Sequence, residues 1–142
     1  MGEVIHTTVL ILHVIGATII VGSSFISLFV LLKDRIKKEN LELIERIWSI
    51  VGPSMGIQFI TGLYLGFSEW DEIGKHPLFW TKILLFICSG IVGNLIVGTR
   101  IKAGLKKANN TVQIPGIQKW AWASFLIMML IAICGVMLAE SV

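Results

Sequence analysis

The stretch VIHTTVLILHVIGATIIVGSSFISLFVLL, Val4 to Leu32, contains no Asp, Glu, Lys or Arg. A helix rises about 1.5 Å per residue, so ~20 apolar residues already cross a ~30 Å hydrocarbon layer. This run exceeds that length, and no basic residue precedes it. It is therefore predicted to be a membrane span and not a cleaved signal peptide. Within it stands His13, flanked by Ile11-Leu12 and Val14-Ile15-Gly16. A histidine inside a span is costly without a partner, which makes His13 the first candidate functional residue.

Composition supports a membrane setting. Of 142 residues, 55% are hydrophobic and only 15% charged, and the mean hydropathy is +0.83. The charges gather between apolar runs, so the net charge of +3 reflects membrane topology and calls for no nucleic-acid partner. Cys88 and Cys134 both lie in apolar runs and match no disulfide or zinc spacing.

Four spans follow, at about 4–32, 47–67, 77–99 and 119–139, forming one domain over 1–142. The fold class predicted is all-α, an integral membrane four-helix bundle. Between the first two spans, Leu41, Leu43, Ile44, Ile47 and Trp48 alternate with charge at near-helical spacing, which predicts a short surface helix. Gly52-Pro53 predicts a bend where the second span begins. The pairs Gly52/Gly56 and Gly62/Gly66 have the spacing that lets a neighbouring helix approach closely.

Lys33, Arg35, Lys37, Lys38 and Arg46 lie in the first gap, and Arg100, Lys102, Lys106, Lys107 and Lys119 in the third. These are ten of the twelve basic residues. The bias puts both gaps on the inner side, with the N and C termini and the second gap outside. Trp48, Trp120 and Trp122 then fall at the inner interface and Trp70 and Trp80 at the outer one, as an aromatic belt.

On this map His6, His13, His76 and Lys82 all lie toward the outer side, with Thr61 and Tyr64 on the second span. His6 and His13 share a helix face two turns apart, ~10 Å along the axis, too far to clamp one metal ion together. His76 precedes Pro77 and suits a helix start. Lys82 can snorkel outward along its stem or serve a site. The scattered methionines and cysteines, with Cu(I)-favouring sulfur, more simply read as packing. No phosphate-binding loop, nucleophile elbow, zinc-protease motif or pair of intramembrane carboxylates is present. A bundle core with an imidazole remains a place to hold haem iron or another metal.

Leu12-His13-Val14-Ile15-Gly16, Gly22, Leu28-Phe29, Thr61-Gly62-Leu63-Tyr64 and His76-Pro77-Leu78-Phe79-Trp80-Thr81-Lys82-Ile83-Leu84 resemble the first three helices of HemJ-type proteins. These belong to a wider group that includes the copper-resistance D (CopD) membrane proteins. The resemblance covers about two thirds of the chain. Ile19 stands where the family carries an aromatic residue, and Gly93-Asn94 where it carries a histidine.

The resemblance implies a haem-b-binding membrane oxidoreductase, acting in electron transfer or on a lipophilic substrate. By the resemblance His13 would ligate the metal and Lys82 would act as a catalytic or charge-pairing residue. The second axial position would fall to His6, His76, Met137 or an open site, which makes His6 and His76 cofactor-binding candidates. Alternatives are a copper-handling or transport protein and a non-catalytic accessory subunit. Partners implied are the lipid bilayer, a redox partner or quinone, and further copies of the chain. A prokaryotic inner or plasma membrane is the expected location.

Overall fold

The computed structural model describes residues 2–68 and 70–140. Four helices in it are long and apolar enough to cross a membrane, beginning with α1 (Gly2–Leu31) and α2 (Lys38–Ser68). The rod Pro77–Lys107 is α3, and Ile117–Glu140 is α4. The architecture is an all-α, membrane-spanning four-helix bundle.

Its surface is what lipid requires. Val4 on α1, Ile60 on α2, Leu95 on α3 and Val136 on α4 are each more than half exposed, which only a hydrocarbon surrounding tolerates on this scale. Several hydroxyls in the spans donate to carbonyls of their own helix. Thr18 Oγ1 donates to the Val14 carbonyl at 2.9 Å and Ser24 Oγ to that of Ile20 at 2.9 Å.

Three boundaries differ from the sequence expectation. The surface helix and the second span are one continuous helix, with Pro53 inside it. Leu41 and Ile44 are fully buried, so the first turns of α2 pack into protein and not onto a membrane surface. Pro53 is exposed, so the backbone bond it removes faces lipid and no core contact. The third span continues past Thr99 to Lys107, and its middle, Ile91–Gly98, runs as a π-helix. The fourth helix begins at Ile117, after Gly116 turns the chain with φ +69°.

α1 lies between α2 and α4, and α3 packs along α4, its backbone approaching that of α2 most at its inner third. Two apolar clusters hold these contacts. The inner one gathers Leu28, Leu31, Ile36, Leu41, Ile44, Val97, Ile101 and Ile117. The middle one is built on Ile20, Val51, Met55 and Met128. The two basic gaps, placed together by charge bias alone, meet directly: β1 (Ile36–Lys37) pairs antiparallel with β2 (Thr111–Val112). Gln118 Nε2 adds a bond to the Leu32 carbonyl at 3.0 Å.

Candidate functional site

Above the middle cluster the bundle turns polar. His13 on α1 faces Gln58, Thr61 and Gly62, which recur at i, i+3 and i+4 and so share one face of α2. The ring lies against bare backbone, since a Cβ at Gly62 would sit 3.1 Å from its Cε1. Nδ1 is 2.9 Å from Thr61 Oγ1, and the single hydroxyl proton of Thr61 is directed at the Ile57 carbonyl at 2.8 Å. Thr61 therefore accepts, Nδ1 carries the ring proton, and the bare Nε2 takes an N–H from Gln58 Nε2 at 3.0 Å. This network assigns the tautomer.

Gln58 is left with a cost. Its Oε1 is buried with no donor and points at Gly16, where a Cβ would stand only 2.7 Å away. Gly16 thus makes the room that lets Gln58 reach His13. Gln58 is the member of this polar group that sequence reading missed, although its spacing to Thr61 carried the signal.

Lys82 approaches from the opposite helix pair. It does not simply snorkel outward: its Nζ lies against α4, 3.3 Å from where a Gly135 Cβ would be, and within electrostatic range of His13. The side chain is half-buried, and among the described residues no carboxylate pairs with it. Nearby, Phe79 fills the space over Gly66, and Phe59 stacks on Phe86 with ring centroids 5.8 Å apart. These ring contacts join α2 to α3 in the same half of the bundle.

The other sequence candidates stand apart from this group. His76 caps α3, its Nδ1 accepting the Leu78 N–H at 3.3 Å. His6 is half-buried two turns outward from His13 on α1, and Tyr64 is exposed. Of the glycine pairs, Gly62 and Gly66 are packing positions, whereas a Cβ at Gly52 or Gly56 would meet nothing. No known protein family, curated protein or solved structure matches this chain. What its own geometry establishes is a four-helix membrane-spanning bundle.

The donor set bears on haem and copper. Both nitrogens of His13 are engaged by α2. Among the described residues no three of His, Cys, Asp and Glu converge to hold a metal ion. Cavities of about 10 and about 310 Å³ lie near Trp48, and neither is lined by His13 or Lys82. As arranged, these residues do not fit axial ligation at His13; Gln58 would first have to leave Nε2.

Proposed function

We propose that this protein binds a lipophilic molecule with an anionic head group in the outer half of the membrane. Lys82 supplies the counter-charge, and His13, Gln58 and Thr61 supply a polar wall. The observation that carries this reading is a lysine that no carboxylate among the described residues pairs. A lysine at the centre of a span costs ~2.5–3.5 kcal/mol, less toward the interface. It sits, moreover, near the positive end of α3, whose first turn holds no acidic residue. Helix dipole and ammonium reinforce one another there, and an anion offsets both. The side chain is half-buried and not sealed, so a head group whose tail stays in lipid can reach it.

A propionate-bearing tetrapyrrole, as the HemJ resemblance implies, belongs to this ligand class. Oxidoreductase chemistry rests on haem retention, and that in turn on Gln58 giving way. The test uses the full chain in detergent with oleate and its uncharged methyl ester. Oleate should stabilise the wild type and methyl oleate should not, and Lys82→Met should erase the difference. An unchanged oleate preference in Lys82→Met would overturn the reading. An absorption spectrum of the same preparations addresses haem: a Soret band lost in His13→Ala would establish ligation and a displaced Gln58.

A further inference from the structure

α2 and α3 overshoot the hydrocarbon layer. Each is 31 residues long, roughly 46 Å at about 1.5 Å per residue, against ~30 Å of hydrocarbon. Their outer ends, Ser68 and Pro77, are joined by a short connection, so the excess emerges on the inner side at headgroup depth. Between the emergent ends lies a cavity of about 310 Å³, lined by Glu45, Trp48 and Ser49 of α2 and Asn94, Gly98 and Lys102 of α3. Its hollow has a local origin. The backbone is π-helical from Ile91 to Gly98, and Gly98 contributes no side chain.

The two walls carry opposite charge, Glu45 on α2 and Lys102 on α3. Both are exposed, and among the described residues neither takes part in an ion pair. Asn94 adds an exposed amide, while Ser49 is turned to its own helix, donating to the Arg46 carbonyl at 2.6 Å. Trp48 is an interfacial residue, anchored by donating its indole N–H to Ser27 Oγ at 3.1 Å. A groove at this depth is bathed in phospholipid.

We propose that it is a headgroup site for phosphatidylethanolamine, the phosphate set against Lys102 and the primary ammonium against Glu45 and the Asn94 carbonyl. A primary ammonium brings N–H donors that suit a carboxylate and an amide oxygen. The quaternary ammonium of phosphatidylcholine has none. Phosphatidylglycerol would meet Glu45 with no cation at all. The site is separate from the outer group around His13 and Lys82 and stands or falls independently of it.

The experiment reads lipid retention by native mass spectrometry. The full chain is equilibrated with equal amounts of phosphatidylethanolamine, phosphatidylcholine and phosphatidylglycerol of identical acyl chains. The wild type should keep phosphatidylethanolamine over phosphatidylcholine by about threefold, the size of one exposed charge-assisted contact. Glu45→Gln should bring that ratio to one, and Lys102→Gln should lower retention of both. Gly98→Leu should lower retention of all three lipids by filling the groove; its Cβ meets only the Gly93 carbonyl at 3.5 Å, an ordinary van der Waals distance, so a β-carbon fits there without strain. Equal retention of phosphatidylethanolamine and phosphatidylcholine by the wild type overturns the proposal. So does an unchanged preference in Glu45→Gln, or a wild-type preference for phosphatidylglycerol, which would reduce the groove to a generally basic surface.

Discussion

Gln58 on α2 donates its amide to Nε2 of His13 on α1 at 3.0 Å, while its own Oε1 stays buried without a donor. One side chain thus satisfies a histidine in the membrane by leaving part of itself unsatisfied. The arrangement persists because Thr61 completes the ring's other bond and Gly16 leaves room for the orphaned oxygen.

This coupling should be visible in a double-mutant cycle. Interhelical hydrogen bonds in membranes average ~0.6 kcal/mol and reach ~1.7. Loss of both ring contacts in His13→Ala is expected to lower stability by about 1–2 kcal/mol. Gln58→Ala should cost less, since it also removes a buried unpaired acceptor. Residues in contact do not add, so the double variant should resemble His13→Ala alone. Reversible unfolding in mixed micelles measures all three, and strict additivity would show that the two residues act separately.

Gly16→Ala tests the same pair from a third position. The new methyl would meet Gln58 Oε1 at 2.7 Å and push the amide off His13. The substitution should therefore destabilise the wild type but become neutral, or gain slightly in helix propensity, in a Gln58→Ala background. Equal effects in both backgrounds would contradict the steric account.

Lys82→Met is expected to raise thermal stability in ligand-free detergent. It replaces an ammonium that no described carboxylate pairs with an apolar chain of similar length, and intramembrane lysine is intrinsically unfavourable. A drop in melting temperature would mean that Lys82 holds the bundle together through contacts other than charge.

Gly66→Ala should disrupt the junction of α2 and α3. A Cβ there would clash with the Phe79 ring, and forced overpacking costs about 1–3 kcal/mol. Phe79→Leu in the same chain should restore part of the loss. Gly56→Ala, where a Cβ meets nothing, is the internal control and should be neutral or mildly stabilising.

Sidedness is checked with single cysteines in a chain whose Cys88 and Cys134 are replaced by serine. Asp71→Cys should react with a membrane-impermeant reagent added outside intact cells, and Lys106→Cys only after permeabilisation. The reverse pattern would invert the map drawn from the basic residues.

Much of this was legible in the sequence, for physical reasons that differ from residue to residue. Span length and the placement of lysine and arginine are one-dimensional properties, so the four helices and the shared side of the two basic gaps could be read directly. The depth of His13 and Lys82 follows from counting residues. Direction does not. Lys82 turns to α4 because Gly135 leaves a place for its ammonium, and nothing near position 82 announces position 135. The start of α2 was misread because charge alternating with Leu41 and Ile44 suits a membrane surface as well as a protein core. The π-helical stretch Ile91–Gly98 leaves no mark in apolar periodicity when every residue around it is apolar. Gln58 was overlooked for a simpler reason: its meaning depends on a partner far away in the chain.

The four-residue pairing of Ile36 with Val112 and Lys37 with Thr111 has a consequence for how the bundle is held in height. Apolar helices in oil slide past one another along their axes with little resistance, because one ring of methyl groups is much like the next. Backbone hydrogen bonds admit no such sliding; a slip of one residue turns every side chain to the wrong face. The clasp lies where the helical hairpin α1–α2 meets α3 and α4, and it fixes their vertical offset. That offset decides whether Lys82 stands level with His13 or a turn above it. A pair of two-residue strands at the inner surface thereby sets the alignment of polar groups in the opposite half of the membrane.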